Sequence, residues 1–298
     1  MSPTVLFAAL FAVIFWGGSP VGTKLAVAEF SPLAMSALRC FIAAPLGVGL
    51  ALALRVPLPR SLRERALLVV CSFCGFSGFP VIFTYGVART SAIHAAMILA
   101  MLPVFTGAIA HAVERRRPAW LWWAGCAVAV GGEALLVSGR AAGGEATLAG
   151  DALVALSALV ASTGYVTGAR LSQAGYPSQG TTYWGIAVSA LGFLPFAPWL
   201  FAGIAWGGVS AAAWAGVVYL ALGVSMLGYV IWYWALGKGG IARIGVLQFL
   251  QPVSGLVLAW LLLGEALSTT VLAAAGIVLA GVFIATRAPP VPARERAG

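Results

Sequence analysis

Charge is what this chain has least of. Only 8% of its 298 residues are Asp, Glu, Lys or Arg, and eight of those are acidic, where an ordinary soluble domain carries about 25%. So few charges cannot coat a 30.6 kDa globule, which excludes a soluble enzyme, a disordered chain and a nucleic-acid-binding domain. The 17 basic residues lie between apolar blocks and form no continuous basic face. Four cysteines, Cys40, Cys71, Cys74 and Cys126, all fall inside apolar runs. Cys71 and Cys74 have C-x-x-C spacing without further ligands, so they read as small packing residues and no metal is expected. No G-x-x-x-x-G-K-[ST] sequence is present, so no nucleotide, and no other cofactor, is expected. Gly75-Phe76-Ser77-Gly78 matches the G-x-S-G of intramembrane serine proteases, but such patterns are frequent wherever membrane helices pack. The chain does not read as an enzyme.

Apolar residues are what it has instead, at 61% and a mean hydropathy of +1.00. A bilayer core about 30 Å thick needs roughly 20 apolar helical residues per crossing. Ten blocks of that kind run over 4–27, 32–54, 66–87, 91–112, 119–138, 151–170, 179–201, 211–236, 241–263 and 268–286. The blocks lack two-residue alternation, so they are helices and not barrel strands. The first has no basic leader and no clear small-x-small site, so it is expected to stay as a span. The polar, Pro-rich tail is expected to be mobile. With ten spans, loops on the side of the termini hold twelve Lys and Arg residues, loops on the other side only Arg89 and Arg140. The positive-inside rule then places both termini in the cytoplasm of a protein of the inner (plasma) membrane.

The two halves resemble each other. Pro103, Glu114, Gly125 and Ala129 recur as Pro252, Glu265, Gly276 and Ala280, and His94 and Arg243 each precede their proline by nine residues. Five spans per half is odd, so the second half enters from the opposite side. The expected fold is an all-α integral membrane protein, two inverted five-helix repeats around a central cavity. Residues 1–140 form the first, 141–288 the second, and 289–298 the cytoplasmic tail. The Gly125/Ala129 and Gly276/Ala280 spacings read as close helix packing.

Phe15-Trp16-Gly17-Gly18-Ser19-Pro20 with Lys24, then Ala37-Leu38-Arg39, Tyr85-Gly86 before Ser91-Ala92, Leu102-Pro103-Val104, Gln251-Pro252-Val253 and Leu263-Gly264-Glu265 follow in order along the chain. In these the sequence resembles the EamA-type drug/metabolite transporters, and within them the YddG-like amino-acid exporters. Trp184 stands where the second half would repeat Arg39, a departure that makes the halves unequal. The resemblance implies alternating access and export of small metabolites, amino acids with aromatic or bulky apolar side chains above all. Broad drug/metabolite efflux and a passive facilitator are the alternatives. The partners are the solute and the lipid bilayer, not nucleic acid, and a monomer is the expected unit.

Span 4 sets His94, Met97 and Met101 on one face. An ionisable residue inside lipid is expensive unless it faces a polar cavity or a partner. Tyr229, Trp232 and Tyr233 lie deep in span 8, where a phenol needs a hydrogen-bond partner or water. Trp16 and Tyr165 occupy comparable places in the two halves, and Tyr85 ends span 3. Gln248 and Gln251 are one turn apart in span 9. These eleven residues are the candidate substrate contacts. Pro103 and Pro252 each free a carbonyl near mid-depth and are candidate gating points. Lys24, Arg39 and Glu133 are expected to form a structural ion pair in the outer third, since each alone in lipid is costly.

Overall fold

A computed structural model describes residues 3–114, 119–138, 146–239, 247 and 250–287, and among these there is no strand. Eight helical segments are long and apolar enough to cross a bilayer: α1 (Pro3–Val27), α2 (Pro32–Ala53), α3 (Leu62–Val87), α4 (Ala92–Val113), α5 (Trp120–Ser138), α6 (Leu148–Gln173), α7 (Ser178–Leu200) and α8 (Ala211–Trp232). Two shorter apolar helices follow, α9 (Leu250–Leu263) and α10 (Thr269–Ala285). Nine of the ten blocks read from the sequence agree with these to within a few residues; the ninth, 241–263, is described as helix only from Leu250 on, and most of its first part lies outside the described residues. Large apolar side chains such as Phe7, Trp120, Leu191 and Trp199 point outward. That is stable only against lipid.

The helix starts are written in the sequence. Ser31, Ser61, Ser91, Thr147, Ser210 and Ser268 each accept the backbone N–H three residues on, and Ser61 and Glu64 complete a capping box. Gly264 ends α9 at φ +68°, a left-handed turn that delivers Glu265 to the connection before α10.

Packing fixes the register between helices. Along α5 and α10, Gly125 lies on Gly281 and Ala285, Gly281 on Ala129, and Gly132 on Ala274 and Val278, so the two run antiparallel at backbone contact. Gly276 has open space where a side chain would stand, and Ala280 is exposed. The close packing expected of Gly276/Ala280 therefore falls instead on Ala274, Val278 and Gly281. Helix α3 runs antiparallel to α6 through Gly86 on Gly150 and Val154 and Gly164 on Gly75. In the same way α8 lies on α1 through Gly216 on Gly22 and Ala26 and Gly228 on Trp16. The remaining contacts used below are α2 with α7, α4 with α6 and α9, and α1 with α9.

Two helices widen to π geometry, each about midway. Ser72–Gly78 in α3 and Tyr219–Gly228 in α8 are π-helical. Such widening displaces backbone carbonyls from their intrahelical donors. Side chains from neighbouring helices use them here: Trp16 Nε1 donates to Val224 O at 3.1 Å, Cys40 Sγ to Phe76 O at 3.2 Å and Ser189 Oγ to Ser72 O at 3.0 Å.

Candidate functional site

Aromatic rings gather beside the two π-helical segments. Trp16 of α1 packs on Tyr229 and Trp232 of α8, with ring centroids 4.9 and 5.5 Å apart. Tyr229 also meets Phe76 of α3 at 5.3 Å and Tyr165 of α6 at 6.4 Å. Trp16, Phe76, Tyr229 and Trp232 are all buried. Gly228 makes this possible, because a Cβ there would strike the Trp16 indole. Arg39 of α2 enters the same region at 4% exposure. Its Nε donates to Ser225 Oγ at 2.5 Å, and Tyr229, Tyr165 and Tyr219 are within electrostatic reach of its guanidinium. The group thus has flat apolar surfaces, phenol hydroxyls and one cation, drawn from α1, α2, α3, α6 and α8.

A second polar group lies where the connections after α1, α3, α5, α7 and α9 come together. His94 Nδ1 is 3.2 Å from Asp151 Oδ2, and Thr90 donates to Asp151 Oδ1 at 2.5 Å. Glu265 accepts the Ala92 and Ile93 amides at 2.7 and 2.8 Å. Ser91 Oγ takes the His94 amide, so the Ala92, Ile93 and His94 amides that begin α4 are satisfied. Arg89 O accepts from the Thr147 hydroxyl at 2.7 Å. Across the same face Glu29 accepts the Ser210 amide at 2.8 Å. Bonding from Ser210, side chain first and then backbone, holds the Glu29 carboxyl below the usual carboxylate range. Lys24, Glu29, Ser210 and Glu265 border a cavity of about 310 Å³ there. Between segments the opposite face is tied by neutral bonds, Tyr176 Oη to Pro57 O at 2.9 Å and Trp184 Nε1 to Val56 O at 3.3 Å, while Glu64 and Arg65 bond within the α2–α3 connection.

Of the residues singled out from the sequence, Trp16, Tyr165, Tyr229 and Trp232 come together. Met97 and Met101 are buried in a different apolar cluster with Phe83, Val104 and Trp122, and His94, also buried, is bound to Asp151. Tyr85 sits under the Arg89 guanidinium at 5.5 Å. Gln251 lies beside Gly17 at the α1–α9 contact, and its carbonyl accepts from Ser254. Pro252 is buried near the start of α9. Pro103 follows a 3₁₀ turn, Leu99–Met101, so its helix does change pitch at that point. Gln248 and the side chains of Pro103 and Tyr233 lie outside the described residues.

The expected pairing of Glu133 with Lys24 or Arg39 is not formed. Among the described residues neither Glu133 oxygen, both buried, has a hydrogen-bond partner, and Arg39 is turned to Ser225. The charge that reaches Glu133 is that of Asp151, of like sign. The sequence reading placed the three at similar depth but could not give their azimuth around the helices. It also missed Phe76, Ser225, Asp151 and Glu265 as functional side chains. The first two had a signal, the clustering of Gly and Ser in Ser72–Gly78 and Gly223–Gly228, which marks an irregular helix.

The chain matches the EamA-like transporter family over residues 3–138 and 148–287. It is 33% identical to the uncharacterized transporter YdeK of Bacillus subtilis, over 85% of this chain and 86% of that one. It is 28% identical to a probable terminal-alkyne amino-acid exporter of Streptantibioticus cattleyicolor, over 95% and 93% of the two chains. A probable amino-acid metabolite efflux pump of Salmonella typhimurium is 27% identical over 93% of each. One solved crystal structure has the same fold at a TM-score of 0.65 and 19% identity, covering 96% of this chain and 99% of that one. Matched along nearly its whole length and built of apolar helices able to cross a bilayer, the chain is a multi-pass membrane protein and belongs to the EamA-like transporter family.

Proposed function

We propose that this protein is a secondary transporter of the plasma membrane. It exports amino acids with aromatic or bulky apolar side chains by alternating access and leaves the solute chemically unchanged. The observation that carries the reading is the aromatic group of Trp16, Phe76, Tyr165, Tyr229 and Trp232. It is drawn from both halves of the chain and placed where two helices lose regular geometry. The printed names of two relatives, an amino-acid exporter and an amino-acid metabolite efflux pump, point the same way.

Alternating access needs two inverted five-helix halves, and the packing supports them. Exchanging α1–α5 with α6–α10 returns most of the larger contacts. The pairs α5–α10, α2–α7 and α4–α9 map onto themselves, α3–α6 onto α1–α8, and α4–α6 onto α1–α9. The two π-helical segments also exchange. In this reading Pro103 and Pro252 are the points at which α4 and α9 bend, and both termini are cytoplasmic.

Counterflow in proteoliposomes tests the proposal. Unlabelled phenylalanine or tryptophan on the far side should accelerate entry of the labelled amino acid, and Tyr229→Ala should change the order of preference among amino acids more than it changes expression. Linear uptake without trans-acceleration would identify a passive pore. Indifference of every amino acid to Tyr229→Ala would remove the aromatic group from the site.

A further inference from the structure

Arg39 is buried beside the π-helical segment of α8, and among the described residues no acidic side chain pairs with it. The groups acting on it are the phenols of Tyr229, Tyr165 and Tyr219 and the Cys40 thiol, all neutral at pH 7 in their ordinary forms. A guanidinium carries five N–H donors, and the one on Nε is spent on Ser225 Oγ. A cation held in this way inside a membrane is expensive unless an anion completes it. Neither acid of the neighbourhood does so: among the described residues Glu133 has no hydrogen-bond partner and Asp151 is engaged by His94 and Thr90.

We propose that Arg39 recognises the carboxylate of the transported solute. Pinning Nε to Ser225 leaves the edge bearing Nη1 and Nη2, a planar pair of donors that matches the two oxygens of a carboxylate. The rings of Trp16, Tyr165 and Tyr229 stand beside it and take the apolar body. Their faces also suit an ammonium group by cation–π attraction. Ser225 is a positioning residue, lying in the π-helical turn that also supplies Val224 O to Trp16. Thus one irregular turn of α8 orients both the cation and the largest ring. The assignment rests on the aromatic amino-acid reading above and adds the charged group by which such a solute is held. It also explains why α7, the counterpart of α2, carries no Lys or Arg between Ser178 and Leu200: one solute has one carboxylate.

The test is competition against labelled tryptophan in proteoliposomes by tryptophan, tryptophan amide and tryptamine, which share a ring and differ at the carboxyl carbon. The wild-type protein should prefer the acid by about tenfold to hundredfold, the scale of a charge-assisted hydrogen bond. Arg39→Lys should keep part of that preference and Arg39→Met none. Ser225→Ala should lower the ratio of acid to amide, which a merely structural role would not move. Equal competition by the three compounds on the wild type overturns the role of Arg39 while aromatic transport stands, as does an acid preference that survives in Arg39→Met. Exchange that requires chloride, with the three compounds equal, would give the site to an inorganic anion and overturn it too. Absence of tryptophan transport altogether would overturn the reading beneath it. The wild-type series decides even if Arg39→Met fails to fold.

Discussion

Glu265 gives the sharpest mutational test of how this protein closes. Its two oxygens accept the Ala92 and Ile93 amides at 2.7 and 2.8 Å, joining the α9–α10 connection to the start of α4. A hydrogen bond to a charged group contributes about 1.5–3 kcal/mol, and a carboxylate at a helix N-terminus adds about 0.3–1 kcal/mol. Glu265 is only half-buried, so water replaces much of this, and Glu265→Ala should cost about 2 kcal/mol. If the tie holds this face shut, opening becomes about 30-fold more favourable. Thr23, fully buried beside Lys24 on the same side, reports opening when Thr23→Cys is introduced into a chain without its native cysteines. A membrane-impermeant thiol reagent applied from that face should label it at least tenfold faster with Glu265→Ala, and Glu265→Gln should fall between. A lower melting temperature with unchanged labelling would make Glu265 a folding contact and not a gate. No change in either would mean that the two hydrogen bonds contribute nothing and the reasoning fails.

Glu133→Met should leave thermal stability in detergent unchanged or raise it, because it removes a buried carboxyl without a partner among the described residues; a loss of about 2 kcal/mol or more would restore an ion pair. Gly281→Leu should destabilise by at least about 1–3 kcal/mol, since the side chain meets the backbone of Gly125 and Ala129, whereas Gly276→Leu on the same helix should be mild. Equal melting points for these two variants would refute the α5–α10 register. The Glu29 carboxyl is depressed in the folded protein, so its contribution is present above the unfolded value and disappears as pH falls through the folded one. Melting measured across the acid range should therefore show a decline in the wild type that Glu29→Gln lacks, and parallel curves would contradict it.

The sequence was most legible where physics is one-dimensional. Block length, Ser and Thr before the blocks, and Lys and Arg between them locate helices because crossing a bilayer and capping a helix are local problems. Register was less legible. Matching Gly125 to Gly276 used a shift of 151 residues, which carries Gly125, Ala129 and Gly132 onto Gly276, Ala280 and Phe283, all turned outward. The shift of 149 relates His94 to Arg243 and Pro103 to Pro252. It carries the same three residues onto Ala274, Val278 and Gly281, which touch α5. Two residues rotate a helix by about 200°, so a plausible motif match turned the packing face around. Partner choice was least legible. Glu133 was assigned to Lys24 or Arg39 by economy of charge, but one carboxylate and two cations at similar depth have several ways to face, and only the azimuth of each helix selects among them.

The distribution of ties between the two faces has a consequence for transport. On one face Glu265, Asp151 and Glu29 hold the connections, accepting from amides, a threonine and a histidine. On the other the described ties between segments are a phenol and an indole donating to carbonyls, and the charged bonds there, Glu64 with the Arg60 and Ser61 amides and Arg65 with Pro59 O, stay within the α2–α3 connection. A scaffold that is nearly two-fold in its packing is therefore one-sided in the chemistry that joins its connections. Under the alternating access proposed above, the two faces differ in what must break for each to open, bonds to charged groups on one and neutral bonds on the other.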